Sequence, residues 1–234
     1  MAAEGDAVPK VRVISYSREP FLDRSQAGQM LAGELSHLSG KKAVVLGIPR
    51  GGIVVAGALA EGLGGNLDVV LSRKLGAPGH SELALGALAE DGQVFLNEYV
   101  QQELAVPEAY IAQEKERQME EIKRRSQLIR TVLPKIPLKG RVVIVTDDGV
   151  ATGATMQVAL WAIRREDPRK LVAAIPVASE EAVARLSAEV DELVCLRMPP
   201  LFMAVGQFYY QFDQVTDEEV LEILKRERSR GGAR

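Results

Sequence analysis

A short stretch around residue 150 constrains the fold of this chain more than any other part of it. Residues 142–146 read VVIVT, an uninterrupted apolar and β-branched run of the kind required by a strand buried on both faces. Asp147 and Asp148 follow directly, and a loop of small residues then leads into a segment with apolar residues at helical spacing. This order predicts an α/β unit in which a buried strand ends in an acidic pair.

The loop after the acidic pair has the composition of an anion-binding site. Residues 149–155 are Gly, Val, Ala and Thr, which leave backbone N–H groups and two hydroxyls beside the positive end of a helix dipole. Such a loop suits a phosphate monoester. The neighbouring carboxylates would repel a phosphate, but they could accept hydrogen bonds from sugar hydroxyls or face a cation. The stretch therefore predicts a site for a sugar phosphate.

The fourteen residues from Val142 to Thr155 resemble the signature of the type I phosphoribosyltransferases. In that family a hydrophobic strand, two acidic residues and a TG-[A/T]-T loop hold 5-phosphoribosyl-1-diphosphate (PRPP). The segments FLDRSQAG, LGIPRGG, SRKLGAPGH and AVGQFY are similar to a broad group of these proteins whose acceptor is undefined. A Walker-type GxxxxGK[ST] loop is absent. The alternative is that the strand, turn and helix carry small residues for structural reasons alone.

Length and composition are those of an ordinary globular protein. The 234 residues predict a single domain, 1–234, with one sizeable core. The formal net charge of −3 gives no support to a nucleic-acid partner. Cys195 is the only cysteine, which excludes an internal disulfide and a thiolate metal cluster. Because no apolar run reaches about 18 residues, we expect no membrane partner and a cytoplasmic location.

A second strand-to-helix corner, GIPRGG at residues 47–52, is predicted to face the same site. Gly51 and Gly52 would permit a positive φ and close approach of a ligand to the backbone, and Arg50 adds a cation. The family resemblance implies that Arg50, Gly51 and Gly52 bind the pyrophosphate of PRPP, with a cis peptide bond between Pro49 and Arg50. A glycine turn beside a solvated arginine is the alternative.

A third group of candidates follows the strand predicted at residues 67–71. Arg73 and Lys74 come at the end of this strand, where open α/β sheets bind their ligands. The segment 75–82, which includes His80, has the composition of a mobile loop. The resemblance implies that this loop closes over PRPP and brings Arg73, Lys74 and His80 to the pyrophosphate. The alternatives are a solvated strand end and an ordinary loop histidine.

Strands alternate with helices along most of the chain, which predicts a parallel sheet with right-handed crossovers. Five core strands are predicted, at residues 43–48, 67–71, 142–146, 171–177 and 192–196. A short hairpin is expected across the turn at residues 90–92. A charged helical insertion at about 98–133 would lie over a sheet edge, meet a partner in a homo-oligomer, or remain solvated through its own salt bridges.

Two segments, at about 11–20 and 197–213, are similar to the hood that covers the PRPP site in type I enzymes. The second holds five aromatic residues within eleven positions. The resemblance implies that Phe202, Phe208 and Tyr209 contact the acceptor base, on which planar rings can stack. Alternatively, these rings attach the hood to the core.

The resemblance implies a Mg²⁺-dependent transfer of the phosphoribosyl group from PRPP to a nitrogen of a nucleobase or similar small acceptor. Asp147 and Asp148 would hold the ribose hydroxyls and bind Mg²⁺ directly or through water. The 5′-phosphate would be bound by Ala151, Thr152, Gly153, Ala154 and Thr155. The residues implied in catalysis are Asp147, Asp148, Arg73, Lys74 and His80.

Two other functions are compatible with the same predicted sugar-phosphate site. The first is a PRPP-sensing regulatory protein that binds without turnover. The second is another sugar-phosphate enzyme, such as a hydrolase or an isomerase. The cations Arg50, Arg73 and Lys74 favour a pyrophosphate ligand over that second alternative.

Overall fold

A computed structural model of the chain describes residues 10–78, 80–96, 104 and 106–231. The strands in chain order are β1 (Val11–Ser15), β2 (Val44–Gly47), β3 (Asn66–Val69), β4 (Ser72–Ala77), β5 (His80–Ala89), β6 (Val94–Leu96), β7 (Val142–Thr146), β8 (Lys170–Val177) and β9 (Glu192–Arg197). The helices are α1 (Arg24–Glu34), α2 (Gly51–Leu63), α3 (Glu108–Val132), α4 (Ala154–Arg164), α5 (Glu180–Ser187) and α6 (Asp217–Gly231). Strands alternate with helices, as the sequence predicts for an α/β protein.

Six strands form a parallel sheet in the order β1-β9-β8-β7-β2-β3. Five of them are the predicted core strands, so the α/β fold with a parallel core is confirmed. All five residues of β7 are buried, because helices cover both faces of the sheet. Val142 and Ile144 pack into a core with residues of α1, α2 and α6. Val143 and Val145 pack into a second core with residues of α4 and α5.

The sixth strand, β1, corrects part of the predicted hood. Residues 11–15 were expected to belong to the hood at about 11–20, but they pair in parallel with β9 and form one edge of the main sheet. In this register Val13 lies beside Cys195. Pairing with β9 provides hydrogen-bond partners for backbone N–H and C=O groups that would be unpaired in a short isolated strand.

A three-stranded antiparallel sheet, β4-β5-β6, replaces the mobile loop predicted at residues 75–82. The predicted turn at residues 90–92 is confirmed between β5 and β6, where Gly92 has a φ of 83°. Arg73 and Lys74 therefore lie within β4 and not at the end of β3. This sheet is ordered because Leu75 and Leu88 bury their side chains against Ile122 of α3.

The long helix α3 ties this small sheet to the main one through a buried arginine. Arg130 Nε and Nη2 donate to the Glu90 carboxylate over 2.7 and 2.8 Å, and Arg130 Nη1 donates to Asp68 Oδ1 over 2.6 Å. Burial tends to raise the pKa of Glu90, but the hydrogen bonds from Arg130 and Ser126 outweigh it and lower the pKa. Glu90 is thus the partner of a buried cation. The first residues of the predicted insertion, 98–103 and 105, lie outside the described part of the chain.

Candidate active site

The ends of β2 and β7 place the Arg-Gly corner beside the acidic pair. The two strands are adjacent and parallel, with Gly47 opposite Thr146. A Cβ atom on Gly51 would overlap the Asp148 carboxylate. A Cβ atom on Gly52 would lie 2.8 Å from the Asp147 Cα atom. Both glycines are required by this close contact and not by a positive φ, since neither is among the glycines with positive φ.

The peptide bond between Pro49 and Arg50 is cis, as the family resemblance predicts. The Arg50 side chain extends towards the first turn of α6, where its Nη1 atom lies 3.8 Å from Asp217 Oδ1. Both side chains are more than a third exposed, at 38% and 56%. Arg50 therefore provides an accessible positive charge next to the glycine corner.

Asp148 is held by Arg24, a residue of the FLDRSQAG segment to which the sequence analysis gave no role. Arg24 Nε donates to Asp148 Oδ2 over 2.8 Å, and Arg24 Nη1 donates to the Asp213 carbonyl over 2.9 Å. The guanidinium carbon lies 3.9 Å from the centre of the Phe212 ring. Arg24 is the first residue of α1, where the helix dipole disfavours a cation. That unfavourable position was the available sign that this arginine needs an anionic partner.

Asp147 differs from its neighbour because no cation neutralises it. Its Oδ1 atom accepts the backbone N–H of Asp148 over 2.8 Å, and it makes no ion pair within the described part of the chain. Burial raises the pKa of Asp147 well above its ordinary value, and the adjacent charge of Asp148 raises it further. This carboxylate is the one best placed to receive a cation or a sugar hydroxyl.

The loop predicted to bind phosphate leads directly into α4. Gly153 has a φ of 80°, in the left-handed region that favours glycine, and Ala154 begins the helix. The Ala154 N–H has a marginal contact of 3.5 Å with the Thr152 hydroxyl oxygen. The other four backbone N–H groups of the loop donate no hydrogen bond among the described residues; they belong to Ala151, Thr152, Gly153 and Thr155. The loop thus presents open donors at a helix N-terminus.

Three hydrogen bonds with the end of β8 and the N-cap of α5 fix the position of this loop. The Ser179 hydroxyl donates to the Ala151 carbonyl over 2.6 Å. The Val150 N–H donates to the Val177 carbonyl over 2.8 Å, and the Ser179 N–H donates to the Val150 carbonyl over 3.1 Å. The loop is therefore held at the same edge of the sheet as the acidic pair, from which it is separated by only Gly149 and Val150.

The predicted basic residues Arg73 and Lys74 lie in the small sheet. Arg73 Nη2 lies 3.2 Å from Glu121 Oε2 of α3. Lys74 follows it in β4, so the alternation of a strand directs its side chain to the opposite face. His80 lies in β5 by its backbone, and its side chain is outside the described part of the structure. The two cations therefore come from a hairpin packed on α3.

The aromatic rings of the hood segment mostly attach it to the core. Phe208 and Tyr209 are only 1% and 6% exposed, so these two rings present little surface on which an acceptor base could stack. The Tyr209 ring centre lies 5.4 Å from that of Phe21 and 5.1 Å from that of Phe212. The Tyr209 hydroxyl donates to the Asp148 carbonyl over 2.5 Å. Phe202 is partly buried, 5.3 Å from the Phe208 ring centre.

Comparison with known proteins finds a protein family that this chain matches. The model of the family described as the phosphoribosyl transferase domain matches residues 23–213. Rv0571c of Mycobacterium tuberculosis strain H37Rv, provisionally named as a phosphoribosyl transferase, is 44% identical over 206 residues. The match covers 88% of this chain but 46% of that protein, and the corresponding protein of strain CDC 1551 gives the same values. The chain thus spans about half the length of these curated relatives.

A solved structure has nearly the same extent and fold as this chain. The crystal structure of TT1426 from Thermus thermophilus shares 48% identity and superposes with a TM-score of 0.85. The comparison covers 88% of this chain and 98% of TT1426. Within the described residues, no helix is both long and apolar enough to cross a bilayer.

Proposed function

Because the chain belongs to the phosphoribosyl transferase family, we propose that it transfers the 5-phosphoribosyl group of PRPP to a nitrogen of a nucleobase or similar small acceptor. The observation that carries this proposal is the direct contact between the Gly51–Gly52 corner and the acidic pair. Two loops that resemble a pyrophosphate-binding and a ribose-binding segment thereby lie side by side. A ligand that carries both groups on one sugar matches this arrangement.

Each part of the crevice has a separate role in this proposal. The open backbone N–H groups of residues 151–155 bind the 5′-phosphate. Asp147 and Asp148 accept hydrogen bonds from the ribose hydroxyls. Arg50, the Gly51–Gly52 backbone and Arg73 face the pyrophosphate, and Lys74 is left out because it lies on the other face of β4. The hood, through Tyr209, holds the backbone of the acidic pair in place.

The reaction is a substitution at the anomeric carbon of the ribose. The bond from this carbon to the pyrophosphate oxygen breaks, and its electron pair leaves with pyrophosphate. The lone pair of the acceptor nitrogen forms the new carbon–nitrogen bond, and the nitrogen then loses its proton to solvent. Carboxylates beneath the ribose favour the positive charge that develops on the sugar, while the arginines favour the negative leaving group. No covalent intermediate with the protein is required.

The acidic pair has the chemistry of a Mg²⁺ site. Mg²⁺ prefers oxygen ligands, and it is commonly held by one or two carboxylates together with substrate phosphates and water. Asp147 lacks a cationic partner among the described residues, whereas Asp148 is already paired with Arg24. The described residues contain no group of three or more acidic, histidine or cysteine ligands, so PRPP oxygens and water would complete the coordination. When bound, Mg²⁺ would neutralise charge on the leaving pyrophosphate.

Calorimetry with PRPP tests the binding part of this proposal. We expect binding to require Mg²⁺, and we expect Asp147→Asn and Asp148→Asn each to weaken it by about tenfold or more, which corresponds to about 1.4 kcal/mol. The matched control is Asp191→Asn, a carboxylate at the opposite end of the sheet that pairs with Arg164. Binding that is unchanged in both site variants would remove the role given to the acidic pair.

A pyrophosphate-release assay over a panel of bases and amines tests the transfer step. Release that depends on one class of acceptor supports a transferase and names its substrate. Mg²⁺-dependent PRPP binding without release across the whole panel would instead favour the PRPP-sensing alternative. The assay therefore separates the two functions that share this site.

A further inference from the structure

Three arginines from three separate elements converge next to the glycine corner. They are Arg50 at the start of α2, Arg73 in β4 and Arg125 in α3. Glu121 Oε2 lies 3.2 Å from Arg73 Nη2 and 3.9 Å from Arg125 Nε. Asp217 Oδ1 lies 3.8 Å from Arg50 Nη1. Three cations are thus matched by two carboxylates, and the cluster retains excess positive charge.

Arg125 and Arg50 line the same narrow notch, which residues of α3 and α6 also border. The walls of this notch include Pro49, Arg50, Arg125 and Asp217. The Arg125 side chain is 35% exposed, so it is neither fully solvated nor sealed in the core. Partial burial lowers the pKa of its guanidinium, and the positive charge of Arg73 lowers it further. The negative charges of Glu121 and Asp217 act on the pKa in the opposite direction.

We propose that Arg125 is a further pyrophosphate-binding residue, contributed by the long helix α3 and acting with Arg50 and Arg73. This inference rests on the proposed function, because it assigns one more ligand to the leaving group of PRPP. A guanidinium presents donors in a planar fork that matches phosphate oxygens in a bidentate manner. Arg125 and Arg50 line the same notch but come from different elements, so the two would bind pyrophosphate from separate parts of the chain.

Asp217 occupies the position that an anion would take between these cations. Its ion pair with Arg50 is long, and both side chains are substantially exposed. Such pairs contribute little stability, so a pyrophosphate with several negative charges can displace the carboxylate. Asp217 therefore competes with pyrophosphate for Arg50, and its removal should strengthen pyrophosphate binding.

The chain offers a matched control for each substitution. Arg124 precedes Arg125 in α3 and also contacts Glu121, over 3.3 Å, but it is 56% exposed and is not part of the notch. Glu218 follows Asp217 in the first turn of α6, where the positive end of the helix dipole stabilises both carboxylates. Arg124→Gln and Glu218→Gln therefore reproduce the change in charge without altering the notch.

The test is calorimetric titration of the full chain with inorganic pyrophosphate and Mg²⁺, with ribose 5-phosphate as a second probe. We expect Arg125→Gln to weaken pyrophosphate binding at least tenfold while leaving ribose 5-phosphate binding and the thermal midpoint unchanged. Arg125→Lys should restore part of the loss. Asp217→Asn should strengthen pyrophosphate binding about threefold, and both control variants should bind within twofold of the unsubstituted chain.

Several results would overturn the assignment of Arg125. These are unchanged pyrophosphate binding in Arg125→Gln, an equal loss in Arg124→Gln, parallel loss of ribose 5-phosphate binding, and no pyrophosphate binding by the unsubstituted chain. If Asp148→Asn weakens PRPP binding while Arg125→Gln does not weaken pyrophosphate binding, the proposed function stands and this inference fails. If pyrophosphate binds through Arg125 but PRPP does not bind, the inference stands and the proposed function fails.

Discussion

Arg24 Nε donates to Asp148 Oδ2 over 2.8 Å, although 124 positions separate the two residues in the chain. This contact fastens the start of α1 to the acidic pair and neutralises one of its two charges. Asp147 is left as the carboxylate without a cation among the described residues. Because only Asp148 is paired with Arg24, Asp148 has a structural role as well as a candidate role in binding the ribose. Asp147 is therefore the stronger candidate for binding a metal ion.

Removal of Arg24 should destabilise the fold. The two side chains are only 10% and 17% exposed, so Arg24→Ala would leave a largely buried carboxylate unpaired beside Asp147. We expect a loss of roughly 3 kcal/mol in the free energy of unfolding, measured by urea denaturation. The double variant Arg24→Ala/Asp148→Asn should recover part of this loss. A loss below about 0.5 kcal/mol in the single variant would show that the pair is unimportant for stability.

Gly51→Ala should disrupt the crevice because the new methyl group would overlap the Asp148 carboxylate. We expect weaker PRPP binding and a loss of roughly 1–3 kcal/mol in stability, as the overpacked side chains must move. Gly33→Ala in α1 is the control, since nothing lies within 4 Å of its new methyl group. That control should be neutral or slightly stabilising. Equal behaviour of the two variants in calorimetry and denaturation would contradict the close contact.

Asp147→Asn should stabilise the protein at neutral pH while it removes PRPP binding. Because the folded-state pKa of Asp147 is raised, the folded form holds this proton more tightly than the unfolded form does. The resulting stability is present below the unfolded pKa of about 4 and is lost as the pH rises through the folded pKa. Thermal midpoints of both proteins between pH 4 and 8 should therefore diverge as the pH rises. A variant that is less stable than the unsubstituted chain at pH 7 would contradict this account.

Arg130→Ala should loosen the small sheet. The substitution leaves Glu90 and Asp68 without their shared cation, and the expected cost is roughly 3–5 kcal/mol. Hydrogen exchange should accelerate in β4 and β5 more than in β7, because β7 is held independently by its two cores. Arg124→Ala, which removes an exposed pair, should change stability by less than about 1 kcal/mol. Equal acceleration of hydrogen exchange in β4, β5 and β7 would show that Arg130 stabilises the whole fold and not the small sheet in particular.

Low pH should weaken the ion pair between Glu90 and Arg130. The folded-state pKa of Glu90 is depressed, so its contribution is present above the unfolded pKa of about 4.3 and is lost as the pH falls through the folded pKa. The stability difference between the unsubstituted chain and Glu90→Gln should therefore be largest near neutral pH and shrink below about pH 4. Denaturation curves at a series of pH values measure this difference. A stability difference that increases as the pH falls would contradict the lowered pKa of Glu90.

Contiguous patterns were the part of the fold that sequence reasoning could predict. The run 142–155 contains a strand, an acidic pair, a loop and a helix start in consecutive residues, so local periodicity was sufficient to order them. These features depend on neighbours within a few positions, and the structure has them where they were expected.

Features that depend on distant residues were missed or misplaced. β1 joins the sheet only because β9, roughly 180 positions later, offers an edge in register. The segment 75–82 has the glycine and proline content of a loop, yet Leu75 and Ala77 lie in a strand and pack against residues of α3, which follows much later in the chain. Arg24 likewise finds Asp148 only in the folded chain. Long-range pairing of this kind is not encoded in local spacing.

The most direct test of the central claim is a crystal structure of the chain with PRPP and Mg²⁺. The claim predicts the 5′-phosphate within hydrogen-bond distance of the N–H groups of residues 151–155, the ribose hydroxyls on Asp147 and Asp148, and the pyrophosphate at the Gly51–Gly52 corner. PRPP bound elsewhere on the molecule, or bound here with its two phosphate ends exchanged, would contradict the account.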